Sequence, residues 1–219
     1  PGASAIPAPY AYRCPIRHCT ERCDMTCLEV GFEHVDQQSV GSLCAFIVEP
    51  VLSSGGIIVP PPGYFGRVRE LCDERGMALI LDESQTGLGR LGKMYGMEHD
   101  GVVPDMVALS KTLGGGMPLA ATVTTAEIEE SCHAKGFSHN TSHVSDPLPA
   151  AAGIAVMQVV EEEGLAERAA TRGAQLLAGL RELQRKHVAI GDVRGQGLLC
   201  GIELVEDRAT RAPALGLAA

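Results

Sequence analysis

Four short apolar runs, each closed by polar, glycine or proline residues, set the pattern of the first two thirds of the chain. They lie at 44–50, 78–81, 106–109 and 119–123. Runs of this length between turn residues are typical of strands buried in a sheet. Residues 60–75 instead carry a helical pattern that begins in prolines and ends before Gly76, and a short helix is expected from about Ala126. The alternation of strands and helices predicts an α/β fold, a mostly parallel sheet with flanking helices.

The pattern becomes helical from Pro147 onward. Two amphipathic helices are predicted at 149–163 and 166–185, separated at Gly164. A glycine-rich stretch with one predicted strand, 198–204, follows them. We therefore expect residues 41–163 to belong to one large domain and residues 164–219 to begin a smaller α+β domain. Residues 1–40 contain four prolines and no clear period, which predicts an irregular lead-in.

Composition and charge narrow the class of protein. The 219 residues are 45% hydrophobic and 21% charged, as in ordinary globular proteins, and the net charge is −9. An acidic chain is a poor partner for nucleic acid, whose phosphates need basic surface. No apolar run has the length of a membrane span, and no signal peptide is visible. We expect a cytoplasmic protein, while a mitochondrial location stays open because the sequence starts at Pro1 and not at a methionine.

Eight cysteines are an unusual number for a chain of this kind. Four of them cluster near the start, at Cys14, Cys19, Cys23 and Cys27. Their spacing lacks the paired C-x2-C of zinc sites, and a chain with a large apolar core has little need of a disulfide framework. Reduced thiols are the favoured interpretation. The other four lie in apolar patterns and are expected to be small buried residues: Cys44, Cys72, Cys132 and Cys200.

A carboxylate and a lysine each follow an apolar run. Asp82 ends the second run, and Lys111 comes just after the third and before Gly114–Gly116. Ligand sites of open α/β sheets form at such strand ends. Lys111 is either a strand-end lysine reaching solvent or a Schiff-base nucleophile. Asp82 is either a turn-capping residue or the partner of a buried cation, such as a protonated pyridine nitrogen, with Gln85 placed to donate to a ring oxygen.

The surrounding residues resemble a known family. The segments DESQTGLGR at 82–90, Pro104-Asp105 and LSKTLGGGMP at 109–118 are similar to the signature of class III pyridoxal-phosphate aminotransferases, and most of all to the dialkylglycine decarboxylases. The resemblance extends through 49–56, 141–149 and 191–195, so that it covers the chain from about Cys44 to Glu206. It implies the large domain of a fold type I transferase together with part of a smaller C-terminal domain.

The resemblance also implies roles for single residues. Lys111 would bind pyridoxal phosphate covalently and move a proton, Asp82 would pair with the pyridinium nitrogen, and Gln85 would contact the phenolic oxygen. Ser54 matches a serine near the substrate carboxylate. Ser142, next to Thr141, stands where the family has a threonine that reaches the cofactor phosphate of a neighbouring subunit, which implies a homodimer or a dimer of dimers.

The resemblance also implies an alkali-metal ion near the site. Ser142, Val144 and Asp146 match positions that hold K+ or Na+ in dialkylglycine decarboxylases, and their oxygens are suitable hard ligands. Asp146 is equally well explained as the residue that precedes Pro147 at a helix start.

Three functions remain open at this stage. The first is decarboxylation of a 2,2-dialkylglycine coupled to transamination of a 2-oxo acid, which the elements at 53–56 and 141–147 favour. The second is a plain ω-aminotransferase of the acetylornithine or 4-aminobutyrate type. The third is a non-catalytic fragment, because the phosphate loop, the stacking aromatic residue and the carboxylate-binding arginine of full-length members are not found in this sequence.

Overall fold

A four-stranded sheet forms the centre of the larger unit in the computed structural model, which describes residues 2–16 and 23–217. Its strands run in the order β1 (Ala45–Val48), β2 (Ala78–Asp82), β3 (Met106–Leu109) and β4 (Ala121–Thr124). The first three strands are parallel and β4 is antiparallel to β3. The predicted α/β class with a mostly parallel sheet is confirmed.

Three helices belong to this unit: α1 (Thr26–Gln38), α2 (Tyr64–Glu74) and α3 (Ala126–Ala134). Helix α2 begins after Gly63, whose φ of +82° suits a residue without a side chain. It buries the apolar face formed by Tyr64, Phe65, Val68, Leu71 and Cys72. This face packs together with Leu28 and Phe32 of α1 and Leu79 and Leu81 of β2 in one core.

Helix α4 (Pro147–Glu162) follows β4 and α3 and contacts the 3-10 turn Lys111–Gly114. The smaller unit combines one long helix with an antiparallel sheet, and its elements are α5 (Leu165–Lys186), β5 (Ile190–Gln196), β6 (Leu199–Asp207) and β7 (Ala212–Pro213). Pro147 occupies the first helical turn of α4, where its missing N–H costs nothing. Leu177 of α5 packs on Ile190 and Val193 of β5. A boundary between domains near Gly164 stays a prediction.

Several local predictions were wrong. Residues 26–38 form helix α1, although the lead-in was expected to be irregular. Met25, whose backbone is in the left-handed conformation, precedes the first residue of the helix. The buried residues of α1 are too few to give a clear helical period in the sequence: Cys27, Leu28, Gly31 and Phe32. Strand β5 lies in the glycine-rich stretch, at 190–196, where no separate strand was predicted.

The cysteine predictions met mixed outcomes. Cys72 is fully buried, whereas Cys44 is exposed and both Cys132 and Cys200 are half-buried. Cys19 lies outside the described residues. Across residues 2–16 and 23–217, no group of three or more histidine, cysteine or acidic side chains is arranged to hold a metal ion. None of the helices within these ranges is long and apolar enough to cross a membrane.

Candidate active site

The carboxyl ends of β2 and β3 bring Asp82 and Lys111 to the same edge of the sheet. Asp82 is the last residue of β2 and lies opposite Ala108 in the parallel register. The Glu83 N–H donates to the Ala108 carbonyl at 2.9 Å, which continues the pairing by one residue. Lys111 follows Ala108 by three residues, at most about 11 Å of chain. The sequence-based expectation that both groups share one strand-end edge is met.

The carboxylate of Asp82 is only partly used by the fold. Its Oδ1 accepts a hydrogen bond from the Ser84 N–H at 3.0 Å, which closes the turn after the strand. Within the described part of the chain, no donor reaches Oδ2. The side chain is half-buried. Asp82 therefore caps its turn with one oxygen, and its Oδ2 has no donor among the described residues.

Lys111 has an unusual backbone and an unpaired amine. Its φ is +49°, a left-handed conformation that costs a residue with a side chain about 1–2 kcal/mol. It begins a 3-10 turn, Lys111–Gly114, in which the Leu113 N–H donates to the Ser110 carbonyl at 3.1 Å. Its Nζ forms neither a hydrogen bond nor an ion pair with any residue that the structure describes. Lys111 is exposed, so its amine is open to solvent in this chain.

Hydrogen bonds to the buried carboxylate of Glu83 hold the turn that carries Gln85 in place. The side chain of Glu83 is 2% exposed, and its oxygens accept from Thr86 Oγ1 at 2.6 Å and from the Met97 N–H at 2.9 Å. Gln85 itself is half-buried, and no described group binds its amide. Strand alternation signalled that Glu83 points away from Asp82, but its role as a clamp was missed, because Met97 lies 14 positions away.

Two glycines near this turn are closely packed. A Cβ on Gly87, within the turn, would lie 3.0 Å from the Glu83 carbonyl oxygen, and one on Gly96, at the start of the 3-10 helix Gly96–His99, would lie 2.6 Å from the Cβ of Pro50. Gly87 thus lies against its own turn, and Gly96 lies against the segment that follows β1.

Ser54 lies exposed on a tight turn between β1 and α2. Ser53 is buried, and its N–H donates to the Glu49 carboxylate at 3.2 Å while its hydroxyl donates to the same oxygen. The N–H groups of Gly56 and Ile57 donate to the Ser53 carbonyl at 3.1 Å and 3.0 Å. Glu49 thus holds the start of the turn and presents Ser54 to solvent.

Thr141, Ser142, Val144 and Asp146 form the turn that leads into α4. The first three are exposed and Asp146 is half-buried. Asp146 Oδ2 lies 2.9 Å from His143 Nδ1 and does not cap the helix. No hydrogen bond within the described residues connects this turn with Asp82 or Lys111. Its roles at a cofactor phosphate or an alkali ion stay predictions.

Helix α4 nevertheless contacts the turn that carries the lysine. A Cβ on Gly153 would lie 2.6 Å from Leu119 and 3.4 Å from the Leu113 carbonyl oxygen, so the small residue allows close approach. The segment 141–146 therefore enters the site region through a helix that packs on 111–114.

Comparison with known proteins agrees with this geometry. The sequence model of the class-III aminotransferase family matches residues 1–218. An uncharacterized aminotransferase of Schizosaccharomyces pombe is 48% identical over 205 residues, which are 93% of this chain and 46% of that protein. A leucine/methionine racemase of Thermococcus litoralis is 39% identical over 207 residues, 94% of this chain and 46% of the racemase.

The fold also matches solved structures. An amine transaminase from an uncultivated Pseudomonas species, determined with pyridoxal phosphate bound, superposes with a TM-score of 0.86 at 36% identity, over 95% of this chain and 48% of the transaminase. The chain spans about half the length of the curated relatives that it matches. The family match also starts at residue 1, earlier than the motifs from Cys44 onward had suggested. The chain belongs to the class-III aminotransferase family.

Proposed function

We propose that this chain provides the lysine and the ring-nitrogen carboxylate of a pyridoxal-phosphate-dependent aminotransferase, which moves an amino group from an amine or amino acid to a 2-oxo acid. One observation carries the proposal. The free amine of Lys111 and the free Oδ2 of Asp82 stand at the carboxyl ends of two adjacent parallel strands. Asp82 and Lys111 are thus available for the two contacts that a pyridine aldehyde needs.

The residues present fit this cofactor. Lys111 would attach it covalently, Asp82 would accept a hydrogen bond from its protonated ring nitrogen, and Gln85 would donate to its ring oxygen. Thr141 and Ser142 supply hydroxyls suited to a phosphate. Once bound, pyridoxal phosphate supplies an electron sink that stabilises negative charge on the substrate carbon.

Each side chain then has a defined task. The Lys111 amine would take the proton from the substrate carbon that bears the amino group and move it during amino-group transfer. Asp82 would keep the ring nitrogen protonated, because an opposite charge favours the charged form of its partner. Ser54, at the exposed end of its turn, contributes a hydroxyl to the carboxylate of the substrate.

A narrower candidate is decarboxylation of 2,2-dialkylglycines coupled to transamination. It is supported by the segments Ser53–Gly56 and Thr141–Pro147, which resemble the decarboxylases of the family. An ω-aminotransferase fits the same lysine and carboxylate equally well. The relatives include both transaminases and a racemase, so the three activities have to be separated by assay.

The exposed turn before α4 favours a dimer. Thr141 and Ser142 have no described contact with Asp82 or Lys111 of their own chain, as expected if they serve the cofactor of a second subunit. Sedimentation of the chain with and without pyridoxal phosphate measures its oligomeric state.

A K+ or Na+ ion at Ser142, Val144 and Asp146 would have to share the Asp146 carboxylate with His143.

A spectroscopic titration tests the proposal. Pyridoxal phosphate added to the chain should produce the visible absorbance of lysine-bound cofactor, and Lys111→Ala should abolish it because the attaching amine is gone. Lys135→Ala, which removes another exposed lysine, is the matched control and should keep the band. A band of equal strength in Lys111→Ala would refute the assignment.

The reaction type is then measured directly. Amine transfer to pyruvate without gas release indicates an aminotransferase, CO2 release from 2-aminoisobutyrate indicates the decarboxylase, and loss of optical activity of leucine without transfer indicates a racemase. Absence of all three activities in a chain that shows the band would contradict the enzymatic proposal for this chain.

A further inference from the structure

A guanidinium from the smaller unit binds the turn that presents Ser54. We infer that Arg194 is a positioning residue for this turn, and the inference rests on the proposed function, in which Ser54 faces the substrate. Arg194 lies on β5, and its Nε donates to the Gly56 carbonyl at 2.8 Å across 138 positions of sequence. This bond holds the end of the turn opposite to the one held by Glu49.

Two carboxylates hold the guanidinium in place. Nη1 of Arg194 donates to Asp192 Oδ2 and to Glu203 Oε2, both at 3.0 Å. The side chain of Arg194 is 14% exposed and that of Glu203 is 15% exposed. Charge-assisted bonds at such partly buried positions are strong and directional. The Arg194 donors therefore have one favoured orientation, with Nε directed at Gly56.

Two residues of the N-terminal segment also contact Arg194 or its partner Glu203. The guanidinium carbon of Arg194 lies 4.8 Å from the centre of the Tyr10 ring, within cation–π range. The Tyr10 hydroxyl donates to Glu203 Oε2, and Arg13 Nε donates to Glu203 Oε1 at 2.5 Å. Tyr10 and Arg13 thus hold the Glu203 carboxylate, which accepts the hydrogen bond from Arg194 and so orients it.

The turn needs this support because its backbone is strained. Gly56 has a φ of +117°, and the next residue, Ile57, has a φ of +56°, which is rare for a β-branched residue. Such conformations persist where the surrounding structure holds them. Gly201 of β6 allows the contact, since a Cβ there would lie 3.0 Å from Ile57 Cγ1. The hairpin of the smaller unit therefore shapes the turn that carries Ser54.

Amide hydrogen exchange tests the inference without cofactor or activity. Arg194→Lys keeps a positive charge for Asp192 and Glu203 but lacks the second nitrogen that reaches Gly56. We expect the amides of Gly56 and Ile57 to exchange about tenfold to a hundredfold faster, the range for loss of a hydrogen bond to a charged group. The amide of Val193 should change little.

Arg208→Lys is the matched control. Arg208 also binds backbone carbonyls of the smaller unit, including that of His187 at 2.8 Å, but it lies away from the turn. Exchange of Gly56 and Ile57 should equal that of the wild type in this control. Equal exchange in Arg194→Lys and the wild type would overturn the positioning role.

A second variant covers the case in which Arg194→Lys does not fold. Glu203→Gln leaves the bond to Gly56 in place but weakens the hold on the guanidinium, so a smaller increase of about twofold to fivefold is expected at the same two amides. No increase in folded Glu203→Gln would overturn the inference.

Kinetics separate this inference from the proposed function. With an active chain, Arg194→Lys should raise KM for a carboxylate-bearing donor severalfold while kcat stays within about twofold, because Ser54 is displaced and Lys111 is not. An unchanged KM would overturn the role toward substrate. If the wild type transfers no amino group, the proposed function fails, while unchanged exchange in Arg194→Lys still overturns the positioning role.

Discussion

At the residue scale, the two oxygens of Asp82 have separate uses. Oδ1 accepts from the Ser84 N–H and stabilises the turn, while Oδ2 has no described donor and is the oxygen that we propose for the ring nitrogen. The two sequence-based interpretations of Asp82, turn cap and partner of a cation, are therefore compatible. Lys111 is simpler, because its amine has no described partner and the role that we propose for it is only chemical.

Asp82→Asn isolates the charge of this residue. The amide keeps an oxygen for the Ser84 N–H but cannot hold a proton on the ring nitrogen, so transamination should fall by at least about 100-fold, as for loss of one preorganised electrostatic contact. The visible absorbance of lysine-bound cofactor should persist. Both are measured on the same sample by spectroscopy and a pyruvate-coupled assay.

The control for this prediction is Asp73→Asn. Asp73 is an aspartate on α2 whose side chain is 64% exposed and pairs with Arg69. Surface pairs contribute little, so activity should stay within about twofold of the wild type. Equal activities of Asp82→Asn and Asp73→Asn would contradict the assigned role of Asp82.

Glu83 is a structural counterpart to Asp82. Glu83→Ala leaves the Thr86 hydroxyl and the Met97 N–H without their acceptor, and Thr86 is fully buried. Each unsatisfied buried group costs about 1–3 kcal/mol, so the loss of the acceptor for both groups should lower the free energy of unfolding by about 2–6 kcal/mol. Urea unfolding measures this change.

Glu130→Ala provides the comparison for Glu83. Glu130 is exposed on α3, and its substitution should change the free energy of unfolding by less than about 0.5 kcal/mol. A change in the free energy of unfolding as small for Glu83→Ala as for Glu130→Ala would contradict the clamp role assigned to Glu83.

At the element scale, helix α5 and the turn between β5 and β6 make the tightest contact of the smaller unit. A Cβ on Gly173 would lie 1.8 Å from the Gly197 carbonyl oxygen. Gly197 in turn lies against Leu91, and the Leu198 N–H donates to the Arg90 carbonyl at 3.0 Å. The turn thus joins the helix to the segment 90–91 of the larger unit.

Two glycines of α5 make a matched pair. Gly173→Ala should lower the free energy of unfolding by about 1–3 kcal/mol or more, because the backbone of 197 has to move. Gly179→Ala meets nothing within 4 Å and should raise it by about 0.5–1 kcal/mol, because alanine favours helix. Urea unfolding of the two variants measures opposite signs. An increase in the free energy of unfolding for both variants would show that the backbone at Gly197 moves without cost, which would contradict this prediction.

Element positions were largely predictable and their contacts were not. The four strands and helices α2 to α5 follow from apolar runs and from proline and glycine positions. Helix α1 was missed because its few buried residues, from Cys27 to Phe32, span only two turns. The sequence around Gly173 gives no indication of its close approach to Gly197, because a glycine in a helical pattern indicates only a low helix propensity.

At the scale of the whole molecule, arginines tie the helices of the larger unit together. Arg67 of α2 binds Glu29 of α1 through Nε at 2.6 Å, and Arg75, at the end of α2, binds Asp36 through Nη2 at 2.7 Å. Hydrogen bonds from Arg67 lower the pKa of Glu29, and hydrogen bonds from Arg75 lower the pKa of Asp36.

Asp105 connects a helix and a strand in the same way. Burial acts to raise the pKa of Asp105, but hydrogen bonds from Arg69 and the Leu79 N–H outweigh it and the pKa is lowered. The carboxylate lies 2.7 Å from Arg69 Nη1 and 2.6 Å from the Leu79 nitrogen. Like the helix-bridging carboxylates, it is more acidic in the folded chain than in the unfolded chain.

Acid should therefore destabilise the chain in a defined window. A carboxyl group whose pKa is lowered by folding stabilises the fold above its unfolded pKa, and this stability is lost as the pH falls through the folded pKa. With unfolded pKa values near 4, the free energy of unfolding should stay level above about pH 5 and fall below about pH 4. Urea unfolding between pH 7 and pH 3 measures this profile.

Arg75→Gln tests one contributor to the profile. It removes the partner of Asp36, so the pKa of Asp36 returns toward its ordinary value and the loss of stability between pH 5 and pH 3 becomes smaller. Arg181→Gln, at an exposed position of α5, should keep the wild-type profile. Parallel profiles for the two variants would contradict the contribution of Asp36.

The α/β class, most of the elements and the positions of Asp82 and Lys111 at strand ends follow from the amino-acid sequence alone, because apolar periods, turn residues and strand ends are local properties of the chain. The exposure and left-handed backbone of Lys111, the clamp of Glu83 on Thr86 and Met97, and the bond from Arg194 to Gly56 emerge only in the folded chain. Those features depend on how distant elements pack, and a contact across 138 positions is set by register and burial and not by neighbouring residues.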